Sequence, residues 1–434
     1  MVKAGSVLAP IFMAGSVAVG LFLYFRAPVL YVSFTWWMIF LGSLIRKIID
    51  YHSGFVTFGR WGLPALLVAS ISIITLCREL PRVHRQGGLP FILSLLGLAY
   101  AFLIGITYGR LDLRYILTLL EWLAPLAFGF HLFMQWRAYP EYRRSISNTF
   151  VWGTAVMGAY GLYQYWMVPA WDAFYLRYLE VSSFGQATRF GLRVWGTSTS
   201  PQEFAAILLA GGIVVFSGKG LSQIVSAGAG YLGFLLTMAR AGWLGWCVSF
   251  LMFLPSISLR LQIRLLISII AISLVVTPFA SSGPLGDAVN QRIESFSNGQ
   301  DDTSLEARRE GYNDLMDEAL SQVVGQGFGA GIQSDSIGGS DTAILPLLFS
   351  FGWIGSLPFL SGIVLMLLKI FQANQLRFDA FGSASRAIAL GIFSQIAFNQ
   401  IFSNVFAFTL WGFLGISMAA ANYYQFRGSN SLLR

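Results

Sequence analysis

Long apolar runs separated by short polar segments dominate this chain. Most runs have roughly the 17–25 residues that an α-helix needs to cross a bilayer, and their side chains do not alternate at the period of two that marks barrel strands. The pattern predicts an all-α, polytopic integral membrane protein with about twelve transmembrane helices. The runs lie near residues 7–25, 28–45, 61–77, 89–107, 114–134, 147–168, 202–217, 221–238, 241–255, 264–280, 342–368, 387–403 and 405–424.

Composition agrees with the pattern and excludes a soluble fold. Hydrophobic residues make up 56% of the 434 positions and charged residues 11%, whereas soluble domains carry about 25% charged residues. No segment has the composition of an independent soluble domain. We therefore predict a single transmembrane domain over residues 1–434.

Basic residues between the runs predict its orientation. Four clusters fall on one side if each run between them crosses once, and this side is expected to be cytoplasmic because cytoplasmic loops carry the excess of Lys and Arg. The polar segments 169–201 and 281–341 then lie outside, as a first outer loop and a large outer loop or lid. The clusters are Arg78, Arg82 and Arg85; Arg137, Arg143 and Arg144; Arg260 and Arg264; and Lys369, Arg377 and Arg386.

The N-terminal runs do not fit this orientation. Thirteen crossings would place Arg46 and Lys47 outside, against the positive-inside bias. Twelve crossings, with both termini inside, restore the bias if either 7–25 or 28–45 does not cross fully. We prefer twelve.

Several kinds of site are excluded by what the chain lacks. Two isolated cysteines and three scattered histidines predict neither a disulfide framework nor a metal site. The glycine-rich stretch 325–331 follows no predicted strand and precedes no lysine, so it does not indicate a nucleotide loop. The net charge of +8 is explained by topology and does not indicate nucleic-acid binding.

Outer arginines are the main candidates for function because they oppose the topological bias. Arg240 lies in the short turn of LLTMARAGWLG, where it must be paired or face a polar cavity; a snorkelling interfacial arginine is the alternative. Arg193 precedes a small-residue turn in which Thr199 or Ser200 is a predicted helix cap, followed by Pro201.

A helix N-terminus beside arginines suits an anion. Glu203, in the first turn of that predicted helix, is either a first-turn stabiliser or part of the site. Arg189, upstream in the same loop, is expected to be solvated or to face lipid headgroups and is a secondary candidate for substrate binding.

The large outer loop supplies the remaining candidates. Its stretch 304–324 has the spacing of an amphipathic helix and carries Arg308, Arg309 and Tyr312. Asp341 stands where the loop enters the run 342–368, and both helix capping and action as a base remain open for it. Because arginine forks bind phosphate through charge-assisted contacts, a lipid-linked pyrophosphate suits this set of residues.

Three segments carry a resemblance to a known family. The segments are RVWGTSTSPQEFAAIL, TMARAGWLG, and the R-x-x-x-Y motif of Arg308 and Tyr312 followed by VVGQGFGAG…SDTAILPLLFSFGWIG. They resemble the Wzy/WaaL superfamily of bacterial polysaccharide polymerases and O-antigen ligases, over about residues 190–360. The resemblance implies a GT-C-like bundle in the bacterial inner membrane, with 169–201 and 281–341 as periplasmic loops. It implies metal-independent, inverting glycosyl transfer from an undecaprenyl-pyrophosphate-linked oligosaccharide, without a cofactor. Membrane lipid, a chain-length regulator and a flippase are the implied partners.

Roles follow residue by residue from the resemblance. Arg240 and Arg308 are expected to stabilise the departing pyrophosphate, and Asp341 to act as the base. Ligases of the superfamily carry a histidine where the large loop re-enters the membrane, whereas this chain has Ser340 and Asp341, which favours a repeat-unit polymerase for O-antigen or exopolysaccharide. A ligase acting on lipid A core or protein and a transporter or flippase are the alternatives. The expected substrate-binding residues are Arg193, Arg309, Arg189, Glu203 and Tyr312.

Overall fold

A computed structural model describes residues 2–54, 56, 60–179, 182–218, 220–256, 262–263, 267, 315–328 and 342–431. Helices dominate these residues; no strand occurs among them, and Gly185 and Leu192 form an isolated antiparallel bridge. The α-helices are α1 (Val2–Arg26), α2 (Pro28–Ser53), α3 (Leu63–Ser70), α4 (Ile73–Glu79), α5 (Leu89–Thr107), α6 (Leu113–Met134), α7 (Tyr139–Met167), α8 (Ala170–Leu179), α9 (Pro201–Phe216), α10 (Leu221–Leu236), α11 (Arg240–Phe253), α12 (Ile344–Gln372), α13 (Ala380–Phe393) and α14 (Asn404–Ser431).

Helix length and apolarity confirm a polytopic membrane protein. Within the described residues, seven helical stretches are long and apolar enough to cross a bilayer, and three shorter helices are also apolar. Large side chains such as Phe22, Leu103 and Leu357 are exposed on outward faces, as expected where lipid is the solvent. The long stretches are Val7–Arg26, Pro28–Ser53, Leu63–Gln86, Leu89–Thr107, Leu113–Met134, Ile344–Gln372 and Asn404–Gly428.

Helices pack closely where glycines meet. Gly129 of α6 lies against Gly415 of α14, and a Cβ added at Gly415 would stand 2.0 Å from the carbonyl oxygen of Gly129. Without a hydrophobic force between helices in lipid, such close backbone approach provides much of the packing energy. These crossings hold the elements that position the site described below.

Two predicted runs differ from the observed helices. The run 61–77 is divided between α3 and α4, with Ser72 donating its hydroxyl to the carbonyl of Ala69 at the break. The run 387–403 continues helically only to Phe393, after which Gln395 and Asn399 bond to each other and residues 394–403 form turns. Of the predicted amphipathic helix 304–324, residues 315–321 are helical and 304–314 lie outside the described residues. The run 264–280 is likewise undescribed apart from residue 267.

Basic clusters meet at one end of the bundle, which we call the basic end. Arg143 at the start of α7 pairs with Asp379 before α13, 3.3 Å apart. Lys369 Nζ donates to the carbonyl of Gly87 at 2.7 Å, which joins the end of α12 to the segment after α4. The opposite end, where α2 and α7 finish, is the site end. Three predicted clusters therefore lie together, as the positive-inside pattern requires.

The first two helices are both long enough to cross, and the basic residues near the end of α2 are paired with carboxylates. Arg46 lies 3.5 Å from Asp50, and Lys47 lies 3.4 Å from Asp172. All four side chains are buried. The bias against outer Lys and Arg concerns loop charges, so these paired residues give no reason to expect that one of the runs 7–25 and 28–45 stops short.

Candidate active site

A cavity of about 370 Å³ lies toward the site end of the bundle. Apolar side chains, including Ile39, Leu66 and Phe408, form most of its wall. The cavity therefore combines an apolar surface with groups that bond hydroxyls. Its polar side chains in the described lining are those of Ser43, Arg60, Trp61, Glu121, Tyr175, Thr199, Glu203 and Asn404.

The start of α9 presents Glu203 to this cavity. Ser200 caps the helix by accepting a hydrogen bond from the Glu203 N–H at 3.2 Å, and Pro201 occupies the first turn, as the sequence predicted. Glu203 Oε2 accepts bonds from the backbone N–H of Thr199, at 3.3 Å, and from the Thr199 hydroxyl. Its Oε1 accepts no hydrogen bond from the described residues, so this oxygen is available to a ligand.

Lys47 holds the turn before α9 in place through hydrogen bonds to its backbone. Its Nζ donates to the carbonyls of Gly196, at 3.1 Å, and Ser198, at 3.0 Å, while pairing with Asp172 of α8. The second oxygen of Asp172 accepts a 2.6 Å bond from the hydroxyl of Tyr160. Burial of this charge is tolerated because it is paired and hydrogen-bonded.

Gly196 makes the turn that Lys47 holds. Its φ is +51°, and a Cβ added there would lie 2.4 Å from the ring of Phe204. The amide oxygen of Gln164 accepts from the backbone N–H groups of Trp195, at 3.1 Å, and Gly196, at 2.9 Å. Only glycine fits both the backbone conformation and the space.

Tyr175 of α8 links the turn to the aromatic wall. Its hydroxyl donates to the carbonyl of Thr199 at 2.6 Å, and its ring meets Trp61 edge-on at 4.7 Å. Burial raises the pKa of Tyr175 well above its ordinary value, and the nearby Glu203 and Asp172 raise it further. The phenol is therefore a neutral donor at physiological pH.

Arg60 and Glu121 form an ion pair on another wall of the cavity. Arg60 comes from the segment before α3, and Glu121 from the third turn of α6; both side chains are partly exposed. Together with Glu203, the described residues of the lining therefore carry two carboxylates and one guanidinium. This balance suits a neutral, hydroxyl-rich ligand better than a doubly charged anion.

Arg193 and the Arg240 turn, both singled out by the sequence, lie together beside the cavity. Arg193 donates from Nε to the carbonyl of Thr237 at 3.2 Å and from Nη1 to that of Ser183 at 3.2 Å. Arg240 begins α11 three residues beyond Thr237. The backbone N–H of Arg193 donates to the carbonyl of Phe184, which lines the cavity. Neither arginine is itself among the lining residues.

The other predicted residues have mixed placements. Glu203 lines the cavity, whereas Arg189 lies on an exposed loop outside the lining. Arg308, Arg309, Tyr312 and Asp341 fall outside the described residues, and their roles stay predictions.

Four residues of the site were not predicted from the sequence as site residues: Lys47, Arg60, Glu121 and Asp172. A signal existed for two of them, since Lys47 and Glu121 interrupt apolar helices, and ionisable residues within such helices are functional candidates by default. Lys47 was considered only for its effect on topology.

Comparison with known proteins adds no relative. No protein-family model matches the chain, and no curated protein matches it significantly.

Proposed function

We propose that this protein is a membrane glycosyltransferase that joins saccharides carried on undecaprenyl pyrophosphate, as a Wzy-type repeat-unit polymerase does. In this proposal about twelve helices form a GT-C-like bundle in a bacterial inner membrane. The basic end faces the cytoplasm and the site end faces the periplasm. The observation that carries the proposal is the cavity, where Glu203 offers a carboxylate oxygen to a ligand beside an aromatic and aliphatic wall.

The chemistry is a single displacement. An acceptor hydroxyl oxygen attacks the anomeric carbon of the donor, and a new C–O bond forms while the bond from that carbon to the pyrophosphate oxygen breaks. The pyrophosphate leaves with the electron pair, the anomeric configuration inverts, and the hydroxyl proton passes to a carboxylate. Glu203 Oε1 is the acceptor for that proton within the described residues, and Asp341 is the candidate from the sequence.

The distribution of charge suggests separate binding places for the acceptor sugar and for the pyrophosphate of the donor. The cavity, with two carboxylates against one guanidinium, suits the acceptor sugar, whose hydroxyls can bond Glu203 and Glu121 and whose face can stack on Trp61. The Arg193–Arg240 turn suits the pyrophosphate, because it places guanidinium groups at the start of α11. Developing negative charge on the leaving group is stabilised there.

The test is chain extension by the purified protein in liposomes, with lipid-linked repeat units as the only substrate. We expect Arg240→Ala and Glu203→Gln each to leave single repeat units unextended, while Arg82→Ala, at an exposed position of the basic end, extends them normally. Normal chain length in both site variants would overturn the proposal. When lipid A core or an acceptor protein is added to the liposomes, transfer to that acceptor without chain extension would identify a ligase. Uptake of lipid-linked units with unchanged glycan would identify a transporter.

A further inference from the structure

A second pocket, also of about 370 Å³, opens at the basic end, away from the candidate active site. It lies between the first turns of α7, the end of α9 and the start of α13. The side chains that matter for its chemistry are Arg143, Arg144, Ser147, Asn148, Phe378 and Asp379. We call it the basic-end pocket.

One face of α7 supplies hydrogen-bond donors to this pocket without partners in the described part of the chain. Arg144, Ser147 and Asn148 stand at helical spacings of three and four, so they share one face. No hydrogen bond or ion pair joins their side chains to any described residue. Arg144 and Asn148 are exposed and Ser147 is partly buried. Donors converging on a concave surface indicate a ligand with several acceptor oxygens.

The one carboxylate in the described lining does not cancel this positive character. Asp379 Oδ2 accepts hydroxyl bonds from Tyr139, at 2.5 Å, and Tyr424, at 3.0 Å. Its Oδ1 accepts from the N–H of Phe381, at 3.1 Å, and from Arg143, at 3.3 Å. Both oxygens are thus engaged by protein donors, and Arg144 retains a full positive charge.

The rim of the pocket indicates where the ligand comes from. Phe378 is 93% exposed, although it is a large aromatic side chain directly beside Asp379. Exposed apolar surface at the end of a membrane protein is stabilised by contact with acyl chains. An exposed phenylalanine next to two arginines therefore fits a surface in contact with acyl chains and phosphates together.

We propose that the basic-end pocket binds the phosphate group of an anionic phospholipid, such as phosphatidylglycerol. Arg144 and the donors of Arg143 that do not bond Asp379 contact the phosphate oxygens through charge-assisted bonds. Ser147 and Asn148 contact the ester and hydroxyl oxygens of the headgroup, and Phe378 lies against the acyl chains. The proposal does not depend on the glycosyltransferase assignment, since it uses other residues at the other end of the bundle.

The experiment is native mass spectrometry of the full chain in micelles that contain phosphatidylglycerol or phosphatidylcholine. We expect the protein to retain phosphatidylglycerol in preference to phosphatidylcholine. Arg144→Gln should retain phosphatidylglycerol roughly five- to tenfold more weakly than the parent does. The matched control is Arg85→Gln, another exposed arginine of the basic end that is not part of the pocket lining; it should retain the lipid like the parent. Equal unfolding temperatures in phosphatidylcholine check that both variants are folded.

A second arm distinguishes the lipid from a soluble phosphate. Glycerol 1-phosphate is added to protein in zwitterionic detergent, and the unfolding temperature is compared with that in phosphatidylglycerol. Stabilisation by the lipid alone, lost in Arg144→Gln, supports the proposal as stated. Equal stabilisation by glycerol 1-phosphate, also lost in Arg144→Gln, supports a phosphate site filled from solution and overturns the lipid as its source. Equal losses in Arg144→Gln and Arg85→Gln, or no preference between the lipids, overturn the site.

Discussion

Lys47 of α2 and Asp172 of α8 form a completely buried ion pair, with 3.4 Å between Nζ and Oδ1. The pair joins a long helix to the segment that carries the turn before α9. Through the carbonyls of Gly196 and Ser198, Lys47 also fixes the backbone that leads to Glu203. The placement of the candidate base therefore depends on a charge that never reaches the cavity.

Removal of one partner should be more damaging than removal of both. Lys47→Met leaves Asp172 buried and unpaired, which we expect to cost about 3–5 kcal/mol of stability. Lys47→Met combined with Asp172→Asn removes both charges and should recover part of that loss, because asparagine can still accept from Tyr160. The carbonyls of Gly196 and Ser198 stay without the Lys47 donor, so recovery is incomplete. Thermal unfolding in one detergent measures Lys47→Met, Asp172→Asn and the double variant. A double variant as unstable as the sum of the two single ones would contradict a coupled pair.

Gly196→Ala should destabilise the site locally. The substitution places a Cβ 2.4 Å from the Phe204 ring at a φ of +51°, and we expect a loss of about 1–3 kcal/mol. Gly228→Ala in α10 is the matched control, since no heavy atom lies within 4 Å of the added Cβ; it should stabilise slightly. Unfolding temperatures of the pair provide the measurement, and equal shifts would show that the turn has no special requirement.

Local signals account for the parts of the site that the sequence predicted. Ser200 and Pro201 mark the start of α9 because caps and first-turn prolines act within a few residues. Apolar run length predicted the membrane helices for the same reason: each run satisfies its own backbone. The end of α13 at Phe393 escaped this reasoning, since Gln395 and Asn399 end it through bonds to each other within an otherwise apolar run.

Local sequence signals could not predict contacts between residues far apart in the chain. Arg60 and Glu121 are 61 positions apart, and nothing near either of them specifies the other. From the sequence alone Lys47 is a topological anomaly, and only the structure shows that it pairs with Asp172. Hydropathy predicts where helices lie along the chain but not which helices pack together. The sequence therefore identified the arginines of the outer segments but not the cavity.

Replacing each of the two carboxylates of the cavity should change a different kinetic parameter of the proposed glycosyl transfer. One oxygen of Glu203 accepts no hydrogen bond from the described residues and can accept from the acceptor hydroxyl, so Glu203→Gln should lower kcat by roughly 10²–10⁴-fold with little change in donor binding. Glu121 is engaged by Arg60, so Glu121→Gln should mainly raise KM for the acceptor. Steady-state rates of extension, measured with a labelled lipid-linked unit over a range of acceptor concentrations, give both parameters. A larger loss of kcat in Glu121→Gln would transfer the role of base to Glu121.

Tyr175 should shape the alkaline limit of stability. Its pKa is raised above the ordinary value of 10.0 by burial first, and then by Glu203 and Asp172. A raised pKa means that the folded state keeps the phenol proton more tightly than the unfolded state does. The free energy of unfolding is therefore unaffected by this group below the unfolded pKa, near pH 10, and falls as the pH rises from there toward the folded pKa. Tyr175→Phe removes that loss, together with the bond to the carbonyl of Thr199, which is worth about 1 kcal/mol. We therefore expect the variant to be less stable than the parent at pH 8 and the difference to shrink above pH 10, as measured by unfolding temperature across that range; a difference that grows with pH would show that the phenol ionises more readily in the folded state.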